Sequence, residues 1–387
     1  MSDGIRLLLI AVAMFVLGTD GYVLPALLPA IARSFGAEIQ GAAQIVSGYS
    51  LCYALTIIPL AFVTSGWSYR TTFGIGLALF AAGCIASVAA PNLTLLLIAR
   101  CCCGLGVAIV APTAGAAAVA ILPPDRRGRA IAIVMLSLSC AMAIGSPLGA
   151  LIAAHLGWRA TILVLAILAA VTLAALSIPQ ATWPARTSVE GLRPLLNDRL
   201  LQIGFLTAYL AFVGLYCVYI YLGVVFDRAT SSNASMLSLL LWVWGIAGVA
   251  GSAGAAWLCD RLGAKKLVAL CLLGLAVNFA MLPLTSQTLG SALAVVALWG
   301  AIGVVLSISL QRQLIESLPE QVALLSACFV CALQIGIATA GLLGGALFGR
   351  IGAYDLPLLG SAFIVAALLT QCIAASAAIA RWSRRPA

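Results

Sequence analysis

Long hydrophobic stretches, separated by short polar connectors, fill nearly the whole chain. An α-helix rises about 1.5 Å per residue, so about 20 apolar residues cross roughly 30 Å of hydrocarbon. The runs lack the period-two alternation of barrel strands, and backbone groups in lipid need partners within their own segment. Windows of this size predict twelve helical spans, at residues 7–31, 43–64, 71–90, 93–121, 131–155, 159–179, 200–226, 235–258, 267–286, 290–312, 322–349 and 355–380.

Composition supports a membrane protein. Of the 387 residues, 64% are hydrophobic and 8% are charged, and the mean hydropathy is +1.16. A water-soluble globule of this length needs more polar surface than this chain can supply. The lipid bilayer is therefore the first predicted partner.

The basic residues predict the orientation. With a cytoplasmic N-terminus, fifteen Lys and Arg residues of the termini and connectors lie inside, and only Arg33, Arg159, Arg228 and Arg350 lie outside. The positive-inside rule then puts both termini in the cytoplasm, and we expect the inner (plasma) membrane. This topology accounts for the net charge of +9, so we expect no nucleic-acid partner. The first hydrophobic run is too long for a signal peptide and is assigned to the first helix.

Candidate reactive side chains do not point to an enzyme. The twelve cysteines include Cys101–Cys103, Cys328 and Cys331, but nearly all lie inside apolar spans, where cysteine packs as a small hydrophobe. No carboxylate or histidine cluster completes a metal site, and His155, the only histidine, is placed at the membrane interface. Hydrolase, metalloprotease and P-loop motifs are missing from the sequence. We predict a non-enzymatic protein without metal or cofactor, and we expect a monomer.

The chain divides once. Residues 181–199 form the longest polar stretch and separate two sets of six spans. We therefore predict an N-terminal six-helix bundle (1–180), a cytoplasmic linker (181–199) and a C-terminal six-helix bundle (200–387). Six plus six indicates an internal duplication, and the connectors between the second and third spans of each half can be compared.

Four motifs carry a family resemblance. They are Asp260-Arg261-x-Gly263-x-Lys265-Lys266, Arg100-x-x-x-Gly104-x-Gly106, Gly145-Ser146-Pro147-Leu148-Gly149 and Gly157-Trp158-Arg159. Together they resemble the signature loop, the buried arginine, the antiporter motif and the following turn of the major facilitator superfamily. The resemblance covers essentially the full length and implies an all-α membrane fold of two pseudo-symmetric six-helix bundles. Span 1 and Gly341–Gly345 look most like the twelve-span drug:proton antiporters, especially the arabinose-efflux-permease-like group that exports sugars, nucleosides and drugs.

Three positions depart from the family pattern. Ser65 stands where the first-half connector normally has its aspartate, so the inner gate is expected to depend on the second half. Many relatives carry a glutamate at the position aligned with Gly21, whereas the acid here is Asp20. Span 11 has Gln334 where an asparagine is common among relatives.

Asp20 is the strongest candidate for proton coupling. It lies thirteen residues after Leu7, hence roughly 20 Å along the first span and well inside the hydrocarbon. A buried acid there costs about 2.5–3.5 kcal/mol on insertion scales and usually faces a cavity or marks an ion path. Loss of hydration disfavours the charged carboxylate, which suits a proton carrier. The alternative is a structural acid hydrogen-bonded within the bundle.

Arg100 is the second deeply placed charge, about seven residues into span 4. Its guanidinium stays charged and needs an acid or carbonyl groups nearby. Asp20 is the only acid well inside a first-half span, so we predict that Arg100 and Asp20 approach each other and that protonation breaks their pair. A purely structural arginine that bonds to helix backbone is the alternative.

Two groups of residues are candidates for gating. Small residues recur every four positions in spans 5 and 11, at spacings that let helices approach closely, and Pro147 removes a backbone hydrogen bond. In the superfamily these spans border the interface along which the halves rock; static close packing fits the spacing equally well. The charged connector after span 8 can hold inner helix ends together, with Glu316 or Glu320 as partner, or can simply set topology. The gating candidates are Gly145, Pro147, Gly149, Asp260, Arg261, Gly263, Lys265 and Lys266.

Substrate contacts are inferred from aromatic faces. Span 7 carries aromatic residues spaced by four and three, which places them on one helix face, and Tyr49 and Tyr53 share a face of span 2. Such faces with a few hydroxyls can bind an amphiphilic molecule, although packing against neighbours or lipid is an equal alternative. The candidates are Tyr22, Tyr49, Tyr53, Tyr209, Phe212, Tyr216 and Gln334.

The sequence as a whole predicts a transporter that exports a small organic, drug-like solute in exchange for protons by alternating access. A dedicated exporter of a sugar, a nucleoside or a secreted metabolite such as a siderophore is the first alternative. A membrane sensor with the transporter fold and no flux is the second, mildly favoured by Ser65 and disfavoured by Asp20 with Arg100.

Overall fold

A computed structural model describes residues 3–123, 126–178, 183, 198–231, 233–352 and 354–382. Twelve helices in this part of the chain are long and apolar enough to cross a membrane. They are α1 (Asp3–Phe35), α2 (Ile39–Val63), α3 (Tyr69–Ala89), α4 (Leu93–Ile121), α5 (Arg127–Leu156), α6 (Trp158–Ser177), α7 (Arg199–Tyr219), α8 (Ala234–Leu262), α9 (Ala264–Thr285), α10 (Leu289–Ser317), α11 (Val322–Ile351) and α12 (Leu356–Trp382).

The prediction of an all-α fold with twelve spans is confirmed, and the described residues contain no β-strand. The predicted end of span 7 is wrong. α7 ends at Tyr219, and the rest of the apolar run folds into two short helices, Leu222–Val225 and Asp227–Thr230. Hydropathy depends only on composition, so it cannot distinguish one continuous helix from a helix followed by short helical turns.

Two of the long helices change pitch at a proline. α4 contains a 3₁₀ turn at Ala111–Thr113, and α5 contains a π-helical turn at Ala141–Gly145, just before Pro147. Proline has no N–H to donate to the carbonyl four residues earlier, so the preceding turn must adjust. Turns of this kind in an α-helix often mark functional sites.

Short polar signals set the helix ends. Ser68 caps α3 by accepting from the Thr71 N–H at 3.1 Å, and Asn92 caps α4 by accepting from the Leu95 N–H at 2.9 Å. Between α8 and α9 the chain turns at Gly263, whose φ of 79° lies in the left-handed region that favours glycine. This turn is why the charged connector needs glycine at that position.

The chain folds into two compact units, Met1–Val189 with Asn233–Trp242 and Glu190–Ser232 with Val243–Ala387. The start of α8 thus groups with the first unit, where the Ser238 hydroxyl donates to the Pro147 carbonyl at 3.0 Å. The predicted linker 181–199 lies outside the described residues except for Trp183, Asp198 and Arg199. The bundle boundaries at 180 and 200 stay predictions.

In the first unit, α3 and α6 are joined by reciprocal arginine caps. Arg70, near the start of α3, donates to the Leu176 and Ser177 carbonyls at the end of α6, both at 2.9 Å. Arg159, near the start of α6, donates to the Val88 and Ala90 carbonyls at the end of α3, at 3.1 and 3.2 Å. The last carbonyls of a helix have no partner within the helix, and a cation there is favourable. The two caps therefore fix both ends of this antiparallel pair.

We predict that Arg159→Ala destabilises the protein. The change removes two hydrogen bonds to charged nitrogen and the stacking of the guanidinium over Trp158 at 4.4 Å, at a cost of about 1–3 kcal/mol. Thermal unfolding in detergent measures the effect. Arg33→Ala is the matched control, because exposed Arg33 bonds, among the described residues, only to the nearby Pro29 carbonyl. Equal melting temperatures for the two variants would contradict the capping role.

Candidate functional site

Helix α4 lies between α2 and α3 at very short range, because glycines replace side chains at the contacts. A Cβ added to Gly104 would lie 2.6 Å from the Tyr49 carbonyl oxygen of α2. On the other side, a Cβ on Gly106 would lie 2.5 Å from the Gly76 carbonyl oxygen of α3, and one on Gly83 would lie 2.8 Å from the Ala99 oxygen. Small residues of this kind allow helix backbones to touch in membranes. The glycines of the Arg100 motif thus fix where Arg100 lies.

Arg100 and Asp20 form a buried ion pair. The Arg100 Nη2 donates to Asp20 Oδ2 at 2.5 Å, and the side chains are 0% and 1% exposed. Asp20 therefore points into the bundle, away from lipid. The two residues are eighty positions apart in the chain and come together because α1 and α4 belong to the same unit. The predicted approach of these two residues is present in the structure.

Three groups that the sequence did not assign to the ion pair lie around the guanidinium: Tyr49, which was predicted as a substrate contact, and the thiols of Cys103 and Cys84. The Arg100 carbon Cζ lies 5.2 Å from the centre of the Tyr49 ring, and Nη1 lies 3.7 Å from the Cys103 sulfur. The Cys84 sulfur is 3.8 Å from that of Cys103. The position of Cys103 three residues after Arg100, one helical turn away, was the available signal.

The pair is required for burial of Arg100. Removal of an ion from water costs several kcal/mol, and an opposite charge with good hydrogen-bond geometry offsets much of this cost. Loss of either partner would leave an uncompensated buried charge or an unpaired acid. Any event that neutralises Asp20 must therefore change how Arg100 is held.

Helix α5 packs on α1 around Asp20 through the predicted gating glycines. A Cβ on Gly145 would overlap the Thr19 side chain, and a Cβ on Gly149 would lie 2.7 Å from Val23 Cγ2. Ser146 donates to the Tyr22 carbonyl at 3.1 Å. The π-helical turn before Pro147 therefore lies against the stretch of α1 that carries Asp20. In the described conformation these glycines serve close packing inside the first unit, and their gating role stays a prediction.

The charged connector after α8 is tied to α10. Asp260 pairs with Arg312 at 2.7 Å, and Arg312 also pairs with Glu316 at 2.8 Å. Glu316, an expected partner of the connector, thus joins it indirectly through Arg312, which was not among the candidates. Beside this network, Gln313 and Gln371 exchange side-chain hydrogen bonds at 2.9 and 3.2 Å, and Gln371 also donates to the Lys265 carbonyl. Arg261, Lys265 and Lys266 have exposed side chains.

The predicted substrate residues fall into two separate groups. In the first unit, Tyr49 and Tyr53 are buried, and their rings pack edge to face with centres 6.4 Å apart. Tyr22 is partly exposed. In the second unit, the aromatic face of α7 meets α11. Tyr209 donates to the Thr339 hydroxyl at 3.4 Å, and Phe212 contacts the Phe329 ring at 5.7 Å.

Two further members of the second group, Tyr216 and Gln334, differ in their surroundings. Tyr216 packs on Tyr219 at 5.6 Å, within an aromatic cluster that includes Trp244 and Trp299. Gln334 is 9% exposed, and its side-chain oxygen has no hydrogen-bond partner among the described residues. Both residues stay predicted substrate contacts.

Comparison with known proteins establishes the class. The Major Facilitator Superfamily model matches residues 10–341. A chloramphenicol efflux pump of Mycobacterium tuberculosis is 31% identical over 362 residues, which cover 89% of this chain and 86% of the pump. The chain therefore belongs to the Major Facilitator Superfamily, and it is a membrane transporter rather than an enzyme.

Two other proteins extend the comparison. A probable sugar efflux transporter of Mannheimia succiniciproducens is 24% identical over 367 residues, covering 92% of this chain and 90% of that protein. The crystal structure of the nucleoside transporter NupG (a D323A mutant) shares the fold, with a TM-score of 0.77 at 12% identity over 95% of this chain and 99% of that one. The described helices are thus those of a major facilitator.

We predict that Gly104→Ala is strongly destabilising. The new methyl group would lie 2.6 Å from a backbone oxygen of α2, so α2 and α4 must separate and Arg100 must move relative to Tyr49. We expect a loss of about 1–3 kcal/mol, as for other overpacked positions, measured by thermal unfolding of the purified protein.

Gly115→Ala is the control for this prediction, because a Cβ on Gly115, in the same helix, meets nothing within 4 Å. That change should be neutral or slightly stabilising, since alanine is the better helix former. A Gly104→Ala protein with the same melting temperature as the wild type would show that stability does not depend on the close approach of α2 and α4.

Proposed function

We propose that this protein exports a small, amphiphilic, drug-like organic solute in exchange for protons by alternating access. The observation that carries the proposal is the buried pair of Asp20 and Arg100, 2.5 Å apart. An ionisable residue at this depth is expensive and marks an ion pathway by default. A carboxyl group that is alternately paired with Arg100 and protonated provides the coupling.

Proton exchange requires a second conformation. Asp20 is 1% exposed in the described state, so water reaches it only when the helices around it move. The π-helical turn of α5 lies against Thr19 and is followed by Pro147, which gives this contact a local weakness. We infer that movement of α5 relative to α1 opens the path to Asp20.

Polar and aromatic groups in the second unit supply candidate solute contacts. The buried side-chain oxygen of Gln334, which has no hydrogen-bond partner in the described part of the chain, can accept a hydrogen bond from a solute that enters beside it. Tyr209 and Tyr216, on the same face of α7, are partly exposed and offer rings with a polar edge. The relative named as a chloramphenicol efflux pump supports a small organic solute of this kind.

The charged network at the α8–α9 connector is proposed as part of a gate. Asp260, Arg312 and Glu316 join α8 to α10, and exposed ion pairs of this type contribute little to stability because water screens them. Contacts this weak can break and re-form within a transport cycle. The concentration of Lys and Arg in the same connectors supports an inner-membrane protein with both termini in the cytoplasm.

Export of a sugar is the second candidate. The relative named as a probable sugar efflux transporter matches 92% of this chain, and the Gln334 oxygen suits a hydroxyl-rich solute as well. The aromatic residues on α7 favour the amphiphilic solute. Transport assays with both classes distinguish the two candidates.

We predict that Asp20→Asn abolishes proton-driven transport. Everted vesicles that contain the wild-type protein should accumulate an amphiphilic probe, such as chloramphenicol, when their lumen is acidified, and sugars serve as the comparison set. Asparagine can still bond to Arg100 but cannot carry a proton, so accumulation should fall to the background of empty vesicles. Exchange of probe against probe, which needs no proton, should persist.

The matched control for this experiment is Glu38→Gln, which neutralises an exposed acid just before α2. This variant should accumulate the probe as the wild type does. Accumulation by Asp20→Asn that still responds to the pH gradient would exclude Asp20 as the coupling group. Failure of every probe and sugar to accumulate with wild-type protein would refute efflux.

A further inference from the structure

Tyr49 of α2 lies directly against the ion pair. The residue is 6% exposed, and the centre of its ring is 5.2 Å from the Arg100 Cζ. The close approach at Gly104, one turn after Arg100, brings α2 and α4 together at the level of the Tyr49 carbonyl. The backbone contact therefore sets the guanidinium over the ring, so the arrangement is built into the helix packing.

The ring matters when Asp20 becomes neutral. A guanidinium cannot discharge, so protonation of Asp20 would leave a buried cation without its counter-ion. Among the described residues, no acid other than Asp20 pairs with Arg100. The groups that face Arg100 are Asp20 of α1, Tyr49 of α2 and Cys103 of α4, with Tyr53 beside Tyr49 and Cys84 of α3 behind Cys103.

An aromatic face suits this cation better than the other neighbours do. A cation within about 6 Å of a ring centre is attracted by the ring quadrupole, and the attraction is largest where water is excluded. The thiol of Cys103 is a weak acceptor, at 3.7 Å from the guanidinium. The ring stays neutral, so it can stabilise the cation without competing with Asp20 for a proton.

We propose that Tyr49 is a positioning residue that holds Arg100 through its ring face while Asp20 is protonated. This inference rests on the proposed proton coupling and gives Tyr49 a role other than solute contact. The ring keeps the guanidinium within reach of Asp20, so the ion pair re-forms when the proton leaves. Removal of the ring penalises the protonated state more than the paired state, because only the protonated state lacks the carboxylate.

The test follows the protonation of Asp20 directly. The infrared carbonyl band of protonated Asp20, identified by its loss in Asp20→Asn, is measured against pH for purified protein in lipid nanodiscs. Tyr49→Leu should lower the ratio of protonated to ionised Asp20 at a fixed pH by about three- to tenfold, because the ring also contacts Arg100 in the paired state and only the additional stabilisation of the protonated state shifts the ratio. Tyr49→Phe keeps the ring and should stay within about twofold of the wild type.

Phe73→Leu is the control for general loosening of the first unit. Phe73 of α3 is 1% exposed and packs against Trp183, so its replacement removes a buried ring away from the ion pair. Phe73→Leu should leave the ratio of protonated to ionised Asp20 unchanged. An equal fall in Phe73→Leu, or a fall in Tyr49→Phe as large as in Tyr49→Leu, would overturn the inference.

The outcomes also separate the inference from the function on which it rests. A wild-type Asp20 band that titrates but does not respond to Tyr49→Leu overturns the role of Tyr49 and leaves proton coupling intact. A wild-type protein with no protonated Asp20 at any pH where it stays folded overturns proton coupling, and with it the role of Tyr49.

Discussion

A permanently charged guanidinium at the depth of the hydrocarbon is the constraint on which the first unit depends. Arg100 is 0% exposed, so its charge must be balanced within the protein. The nearest groups are a carboxylate, an aromatic ring and a thiol, contributed by α1, α2 and α4. A buried pair of this kind contributes little net stability compared with apolar packing, and the loss of one partner is costly. This cost is the reason why we assign the pair to the proposed proton coupling.

Glycine makes the arrangement possible. The pair forms only because α4 approaches α2 and α3 to backbone contact at Gly104, Gly106 and Gly83, and α5 approaches α1 at Gly145 and Gly149. Small residues at these contacts let the helix backbones approach closely, and the proposed movement of α5 relative to α1 would occur at this surface. The π-helical turn and Pro147 weaken α5 where it contacts Thr19, the residue before Asp20. Close packing of α5 on α1 is thus compatible with the proposed movement of these two helices.

The sequence was enough to predict the helices and to single out Asp20 and Arg100, because lipid excludes both unpaired backbone groups and charges. Long apolar runs must be helical, and Asp20 and Arg100 stood out as deep charges in otherwise apolar spans. The neighbours Tyr49, Cys84 and Cys103 could not be assigned to the pair in the same way. Neutral residues are common in these spans, and the rotation of each helix about its axis depends on packing that hydropathy does not report.

The dependence of contacts on tertiary packing also explains the remaining differences between the predictions from sequence and the structure. Asp260 pairs with Arg312, whereas the sequence analysis named Glu316 or Glu320 as partners of the connector. The register between α8 and α10 is a tertiary property that the sequence does not report. The short helices after Tyr219 continue an apolar run that composition alone joins to α7. The reciprocal caps of Arg70 and Arg159 were also not foreseen, since each arginine contacts the far end of a helix about seventy to one hundred positions away in the chain.

Proton coupling through Asp20 is tested most directly by measuring proton release when a solute binds to the purified protein in weakly buffered detergent. If Asp20 couples protons to transport, saturating solute releases protons from the wild-type protein, and the release disappears in Asp20→Asn even though the solute still binds. Binding without proton release in the wild type, or an undiminished release in Asp20→Asn, would contradict the central role of the Asp20–Arg100 pair.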